Sequence, residues 1–152
     1  MKPELILLVG PIASGKSTFI KECFPYALVV NYDAIVTAIH GGNYTLYDKQ
    51  FKQLYKQIEL DIIYYGLSHD KIVIIDRPNL KKATRDRYRF IANSLDCDTY
   101  IYLFPDLGME THVERRMNDS RGYSKQYWEK VYLAYSKIYE VPTKEEGVLI
   151  KL

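Results

Sequence analysis

The residues with the clearest chemical potential lie near the N-terminus, where the spacing G-x-x-x-x-G-K-[ST] begins at Gly10. Glycines at both ends of such a loop let the backbone curl, so that successive N–H groups point at one oxyanion. In that arrangement Lys16 reaches the β- and γ-phosphates of a nucleotide, and the Ser17 hydroxyl is a ligand of Mg²⁺. The pattern predicts a nucleoside-triphosphate site. Its phosphate-binding residues are Gly10, Pro11, Ile12, Ala13, Ser14, Gly15, Lys16, Ser17 and Thr18.

The residues on either side of this loop favour the same interpretation. Residues 5–9 form an apolar run of strand length, and residues 19–22 have a helical pattern. A phosphate-binding loop requires this order of strand, loop and helix, because the helix N-terminus adds positive potential. The alternative is a glycine-rich turn with an exposed lysine, which needs neither flanking element. We therefore expect a nucleotide-binding protein.

The composition is that of an ordinary globular protein, and we expect residues 1–152 to form a single domain. The net charge of +2 does not by itself indicate a nucleic-acid partner. Cys23 and Cys97 lack the spacing of metal ligands, which favours reduced thiols inside a cell. The sequence has neither an N-terminal signal nor an apolar run of membrane-spanning length, so we expect a cytoplasmic protein without a membrane partner. We interpret the 15 tyrosines as residues of half-buried faces.

Apolar runs alternate with helical patterns along the chain. The runs are continuous, which is typical of strands that are covered on both faces of a parallel sheet. Strands that alternate with helices predict an α/β domain with right-handed crossovers. The predicted strands are residues 5–9, 27–31, 71–76, 99–104 and 148–152, and further helical patterns lie at residues 34–38, 51–62, 81–95 and 124–139. The apolar stripe predicted for residues 51–62 consists of Phe51, Leu54, Tyr55, Ile58 and Ile62.

Two aspartates follow predicted strands, at the edge of the sheet where α/β proteins bind ligands. Asp33 lies just past the second strand, and Asp76 ends the third. Phosphoryl transfer to a hydroxyl uses one carboxylate to accept the proton and often another to organise Mg²⁺. Asp33 is therefore the candidate base and Asp76 the candidate metal-side carboxylate. Asp33 is also suited to be the N-cap of a helix over residues 34–38, and the pattern leaves both interpretations open.

An arginine-rich segment, residues 113–122, separates the fourth strand from the last helix. Arginines on a mobile segment stabilise the charge of a phosphoryl group during its transfer. Arg115, Arg116 and Arg121 are therefore candidate catalytic residues, and the alternative is a solvated, charged helix end. A second basic group over residues 81–89 is interspersed with an aspartate, which is more typical of an exposed helix face than of a dedicated site.

In their order along the chain, these features resemble the small P-loop kinases of the polynucleotide 5′-hydroxyl kinase type. The resemblance rests on residues 10–18, 31–33, 76–80 and 115–140. It implies a three-layer P-loop NTPase-type fold, with a five-stranded parallel sheet of order 2-3-1-4-5, helices on both faces and an arginine-bearing lid. It also implies Mg-ATP as the phosphoryl donor. Within that family the position of Asp33 activates the 5′-hydroxyl, and the position of Arg121 binds the donor phosphates.

The chain departs from that family at two points. Val36 stands where the phage kinase of the family has an arginine for the acceptor phosphate, and the loop between the lid arginines is longer. Because of the longer loop, either Arg115 or Arg116 corresponds to the second lid arginine. The leading acceptor is the 5′-hydroxyl of a nucleic acid. Val36 favours a small-molecule kinase for a nucleoside, sugar or antibiotic hydroxyl, and a nucleotide-gated switch without an acceptor is the alternative from another class.

Overall fold

The structure, a computed structural model, describes residues 2–152 as alternating strands and helices. The strands are β1 (Glu4–Val9), β2 (Leu28–Val30), β3 (Ile72–Ile75), β4 (Asp98–Leu103) and β5 (Val148–Lys151). The helices are α1 (Lys16–Cys23), α2 (Tyr32–Ile39), α3 (Lys52–Ser68), α4 (Lys82–Ser94), α5 (Met109–Met117) and α6 (Lys125–Ile138). Short 3₁₀ turns occupy Tyr44–Leu46, Lys49–Phe51 and Lys144–Glu146.

The strands form one parallel sheet of order β2-β3-β1-β4-β5. Strand β1 lies at the centre, where Leu7 is opposite Ile75 of β3 and Ile101 of β4. The parallel pairing and the order 2-3-1-4-5 are therefore confirmed. Because the strands run in one direction, the segments that follow β1, β2 and β3 meet at the same edge of the sheet.

Alternate residues of β1 supply the two faces of the sheet. Leu5, Leu7 and Val9 pack with residues of α3 and α4, whereas Ile6 and Leu8 pack with α1. Each of these five side chains is at most 1% exposed. Cover on both faces explains why the run is continuously apolar, and it gives the predicted three layers. Within residues 2–152, no helix combines the length and the hydrophobicity that a membrane crossing requires.

Helix α3 buries part of the predicted stripe together with residues that the prediction left out. Phe51 and Leu54 were expected on the buried side, but each is 45% exposed. The buried residues include Tyr55, Glu59 and Ile63, which are spaced by four residues and share one side of the helix. The prediction is therefore confirmed for Tyr55 and for Ile62, which packs against the core, and wrong for Phe51 and Leu54. It counted apolar residues only, whereas the buried side contains a glutamate whose partners come from other elements.

The basic group on α4 is not simply the exposed face that its charge pattern predicts. Arg85 is fully buried, and its Nε donates to Oε1 of Glu146 at 2.7 Å. Its Nη1 donates to the carbonyls of Asn79 and Leu80, both at 2.9 Å. Lys82 does follow the prediction, because it is exposed and pairs with an aspartate of the same helix. Arg85 therefore ties the turn before β5 to the segment after β3.

Candidate active site

A large cleft, with a volume of about 950 Å³, opens beside the phosphate-binding loop. The segments after β2 and β3 and the start of α6 contribute to its lining. Gly10 and Pro11 line a smaller pocket of about 130 Å³, and Arg115 lines neither. The predicted site residues that the structure brings together around the large cleft are Ile12, Ala13, Ser14, Gly15, Lys16, Ser17, Thr18, Asp33, Asp76, Arg116 and Arg121.

The loop has the curled backbone that an anion cradle requires. Ala13 and Gly15 are left-handed, with φ of 48° and 94°, and glycine adopts that conformation without strain. Gly10 is needed for a different reason, since a Cβ there would lie 2.7 Å from the Cβ of Phe104. None of the N–H groups from Ile12 to Ser17 donates to another group of residues 2–152. The loop therefore presents a set of unpaired donors that fits phosphate oxygens.

Lys16 reaches back over this loop. Its Nζ donates to the carbonyls of Gly10 and Pro11, at 3.0 and 2.6 Å, and to the Ser14 hydroxyl at 3.0 Å. Burial lowers the pKa of Lys16 to about 8, although the negative charge of Asp76 opposes the shift. A phosphate bound in the loop supplies further negative charge and favours the protonated lysine. The lysine is therefore placed to respond to an anion.

We expect nucleotide binding at about pH 8.5 to be coupled to proton uptake by Lys16. In the free protein, Lys16 loses its proton as the pH rises through about 8, whereas bound phosphates raise its pKa. The affinity for ATP should therefore fall as the pH rises above 8. Calorimetry in buffers of different ionisation enthalpy measures the uptake. The variant Lys16→Arg keeps its charge at this pH and should show no uptake, so an unchanged uptake would contradict the assignment.

Ser17, Asn31 and Asp76 form an oxygen-rich group beside the loop. The Ser17 hydroxyl donates to Oδ2 of Asp76 at 3.3 Å, and Nδ2 of Asn31 donates to the same oxygen at 3.1 Å. Hydroxyl and carboxylate oxygens suit Mg²⁺, whose coordination is usually completed by substrate phosphates and water. In the part of the chain that the structure describes, no three His, Cys, Asp or Glu side chains are grouped to hold a metal alone. Ser17 and Asp76 thus fit an Mg²⁺ that arrives with a nucleotide.

Asp33 lies inside the first turn of α2 and does not cap it. The N-cap is Asn31, whose Oδ1 accepts the N–H of Ala34 at 2.9 Å. The N-cap interpretation of Asp33 is therefore wrong, because the helix begins at Tyr32 rather than after Asp33. The Asp33 carboxylate is half exposed, and its Oδ2 accepts a hydrogen bond from Nη1 of Arg121 at 3.3 Å. It faces the same cleft as the loop.

The two adjacent arginines of α5 have different environments. Arg116 lines the cleft, and its guanidinium lies 5.0 Å from the centre of the Trp128 ring. Its Nε is buried without a hydrogen-bond partner among residues 2–152. Burial lowers the pKa of Arg116, and the positive charge of Arg121 lowers it further. Arg115 is exposed and lies outside the lining. Of the two adjacent arginines, Arg116 therefore shares the cleft with Arg121.

Sequence reasoning missed Arg77, which also lines the cleft. Its Nη1 donates to Oε1 of Glu59 at 2.9 Å and to the Tyr88 hydroxyl at 3.1 Å, and its guanidinium lies 4.6 Å from the centre of the Tyr32 ring. Glu59 is 1% exposed, and burial raises the pKa of its carboxyl despite the charge of Arg77. The sequence did contain a signal for the partner of Arg77. Glu59 lies four residues from both Tyr55 and Ile63, which places a carboxylate on the buried side of α3, where it needs a cation.

The extent of the match to a protein-family model decides the classification. A model described as an AAA domain matches residues 5–128, from β1 into α6. The chain belongs to the AAA domain family. The matched region of this AAA domain contains the phosphate-binding loop, both strand-end aspartates and the lid arginines. A comparison with curated protein sequences gives no match.

Solved structures similar to this AAA domain confirm a P-loop kinase-type fold. A structure of a Pnkp1/Rnl/Hen1 complex has a TM-score of 0.64 and 25% identity, over 75% of this chain and 39% of that one. The structure of the Pnkp1/Rnl/Hen1 RNA repair complex has a TM-score of 0.69 and 21% identity, over 93% and 48%. A gluconokinase from Sinorhizobium meliloti 1021 has a TM-score of 0.55 and 19% identity, over 98% and 82%.

The AAA domain therefore spans about two-fifths to one-half of the length of the two complex chains that it matches. The resemblance to P-loop kinases that the sequence motifs predict is confirmed. The same fold occurs both in an RNA repair complex and in a gluconokinase.

Proposed function

We propose that this protein is an ATP-dependent kinase that transfers the γ-phosphoryl group to a hydroxyl, with the 5′-hydroxyl of a nucleic acid as the leading acceptor. One observation carries the proposal. Asn31 caps α2, so the carboxylate of Asp33 is not used as a cap, and it lies in the same cleft as Lys16. A carboxylate that faces a phosphate-binding loop is the arrangement that phosphoryl transfer to a hydroxyl needs.

Each group in the cleft has a distinct task in this proposal. Asp33 accepts the proton of the attacking hydroxyl at its carboxylate, while Lys16 and the loop N–H groups hold the β- and γ-phosphates. Arg121 and Arg116 neutralise the charge on the group in transfer. Ser17 and Asp76 hold Mg²⁺, which shields the charge of the donor phosphates when it is bound. We further propose that residues 1–152 act as a single kinase domain in the cytoplasm, where Cys23 and Cys97 stay reduced.

Two features support a nucleic-acid acceptor. The cleft that contains Asp33 is also lined by Arg77, Arg116 and Arg121, which suits an acceptor with phosphates of its own. The RNA repair complex among the similar structures is a second support.

A small-molecule hydroxyl is the second candidate acceptor. Val36 is fully buried, so this position has no contact with an acceptor phosphate. The likeness to a gluconokinase supports the same candidate. The two candidates differ in the charge and size of the acceptor, which makes them separable by a direct assay.

The test is transfer of label from γ-labelled ATP to a panel of acceptors. The panel contains RNA and DNA oligonucleotides with a 5′-hydroxyl, the same oligonucleotides with a 5′-phosphate, and a set of nucleosides, sugars and other hydroxyl metabolites. We expect label only on the 5′-hydroxyl oligonucleotides. Label on a metabolite alone would support the second candidate. ATP hydrolysis that no acceptor changes would instead support a nucleotide-gated switch.

The two lid arginines should respond differently to substitution. Arg116→Met removes a guanidinium from the cleft and should lower kcat about 100-fold, the loss typical of one donor to a charged transition state. Arg115→Met is the matched control, because Arg115 is exposed outside the cleft and its loss should change kcat little. Steady-state kinetics on the acceptor found in the panel measure both variants. Equal losses in the two variants would contradict the assignment of Arg116.

A further inference from the structure

Three exposed tyrosines line the cleft rather than the outer surface of the protein. Tyr44, Tyr123 and Tyr127 are 43%, 46% and 41% exposed, and all three line the cleft that contains Asp33. Large aromatic side chains that stay exposed inside a cleft leave apolar ring faces in contact with water. Such faces are available to a ligand with a flat apolar surface of its own.

The first of these surfaces lies at the start of α6. The rings of Tyr123 and Tyr127 stack with centres 4.2 Å apart and an angle of 17° between their planes. Trp128 lies nearly perpendicular to both, at 5.9 and 5.1 Å. The indole N–H of Trp128 donates to the carbonyl of Ser120 at 3.0 Å and holds the segment between α5 and α6 against this group. The pair therefore forms a positioned aromatic surface rather than two mobile side chains.

The second surface belongs to the turn that follows α2. Asn43 caps this turn, since its Oδ1 accepts the N–H and the hydroxyl of Thr45 at 3.1 and 2.6 Å. The Tyr44 ring stacks on the Tyr47 ring, with centres 6.4 Å apart and an angle of 23°. The Tyr44 ring thus stacks on a second ring, as the Tyr123 ring stacks on that of Tyr127.

The two surfaces and the candidate base line the same cleft. Burial raises the pKa of the Tyr44 hydroxyl, and negative charge on Asp33, Tyr123 and Tyr127 raises it further. The chain places the Tyr123–Tyr127 pair near this base, because Arg121, two residues before Tyr123, donates to Oδ2 of Asp33 at 3.3 Å. Tyr44 lines this cleft together with Asp33 and the Tyr123–Tyr127 pair.

We propose that Tyr44 and the Tyr123–Tyr127 pair stack on the base of the 5′-terminal nucleotide of a nucleic-acid acceptor. This inference rests on the proposed function and adds that the acceptor end is single-stranded, because a base can lie between two aromatic surfaces only when it is unpaired and unstacked. Stacking on aromatic side chains tolerates all bases, since each has a π-face. The tyrosines then hold the terminal nucleotide while its 5′-hydroxyl faces Asp33.

The test uses two single-stranded oligonucleotides that differ only in the presence or absence of the base on the 5′-terminal nucleotide. Loss of a stacked base should raise KM by at least about five-fold in the wild-type protein. Tyr44→Ala should raise KM by a similar factor for the base-bearing substrate and little for the abasic one. Tyr44→Phe should restore the wild-type KM, because stacking needs the ring and not the hydroxyl. Tyr123→Ala should behave as Tyr44→Ala does.

The matched control is Tyr26→Ala, which removes a 93% exposed tyrosine outside the cleft and should leave both KM values unchanged. Equal KM values of the wild-type protein for the two oligonucleotides would overturn the stacking proposal and leave the kinase function intact. A rise in the KM for ATP alone would also overturn it, since the tyrosines would then hold the donor base. If the wild-type protein phosphorylates neither oligonucleotide, the proposed function fails, and the stacking proposal fails with it.

Discussion

Asp33→Asn should reduce phosphoryl transfer on the order of 10³-fold, which is within the range for loss of a general base, while ATP binding stays close to that of the wild type. The amide has nearly the shape of the carboxylate but cannot accept the proton of the attacking hydroxyl. The fold should tolerate the change, because Asn31 and not Asp33 caps α2. The ion pair between Asp33 and Arg121 is half exposed on both sides, so its loss should change stability by less than about 1 kcal/mol.

The matched control for Asp33→Asn is Asp119→Asn, which removes one carboxylate from the lining of the same cleft. If the effect of Asp33→Asn came only from the change in charge, the two variants would lose similar activity. We expect Asp119→Asn to keep a kcat within a few-fold of the wild type. Single-turnover transfer from labelled ATP, together with calorimetric ATP binding, separates lost chemistry from lost binding. Near-normal turnover of Asp33→Asn would show that another group takes the proton.

Arg85→Met should lower the free energy of unfolding by about 3–5 kcal/mol, because it leaves a buried charge without its partner. Glu146 is 2% exposed and would lose both of its hydrogen bonds from Arg85, at 2.7 and 3.3 Å. The carbonyls of Asn79 and Leu80 would also lose a donor. Burial alone would raise the pKa of Glu146, but the hydrogen bond from Arg85 and the N–H of Thr143 hold it below its usual value.

The lowered pKa gives the Arg85–Glu146 pair a defined pH dependence. The stabilisation is present above the unfolded-state pKa of 4.5 and is lost as the pH falls through the lower folded-state pKa. Urea unfolding at neutral pH should therefore show a larger difference between Arg85→Met and wild type than unfolding in acid. Adding Glu146→Gln to Arg85→Met should recover part of the loss, because it removes the buried charge.

Lys82→Met is the control on the same helix, since Lys82 forms an exposed ion pair with Asp86. Such a pair contributes at most about 1 kcal/mol. If Arg85→Met were no more destabilising than Lys82→Met, the buried pair would not hold the turn before β5 in place.

The sequence by itself determined the features that depend on residues close together along the chain. The phosphate-binding loop could be predicted because its glycines, lysine and serine lie within eight consecutive residues, between a strand and a helix. The positions of Asp33 and Asp76 in one cleft followed from the direction of parallel strands, which places successive strand ends at one edge. The strand order came from the family resemblance, because local patterns do not specify which strands are neighbours.

Only the tertiary structure decided the environment of the charged residues. Arg85 is buried because Glu146, 61 residues away, lies against it, and no pattern on α4 distinguishes it from an exposed arginine. Arg115 and Arg116 are adjacent in sequence but point about 100° apart around the helix, so Arg116 and not Arg115 packs against Trp128 and lines the cleft. The composition does not distinguish the tyrosines that line the cleft from the other tyrosines. Burial and electrostatics depend on distances across the fold, and those distances exist only once the chain has folded.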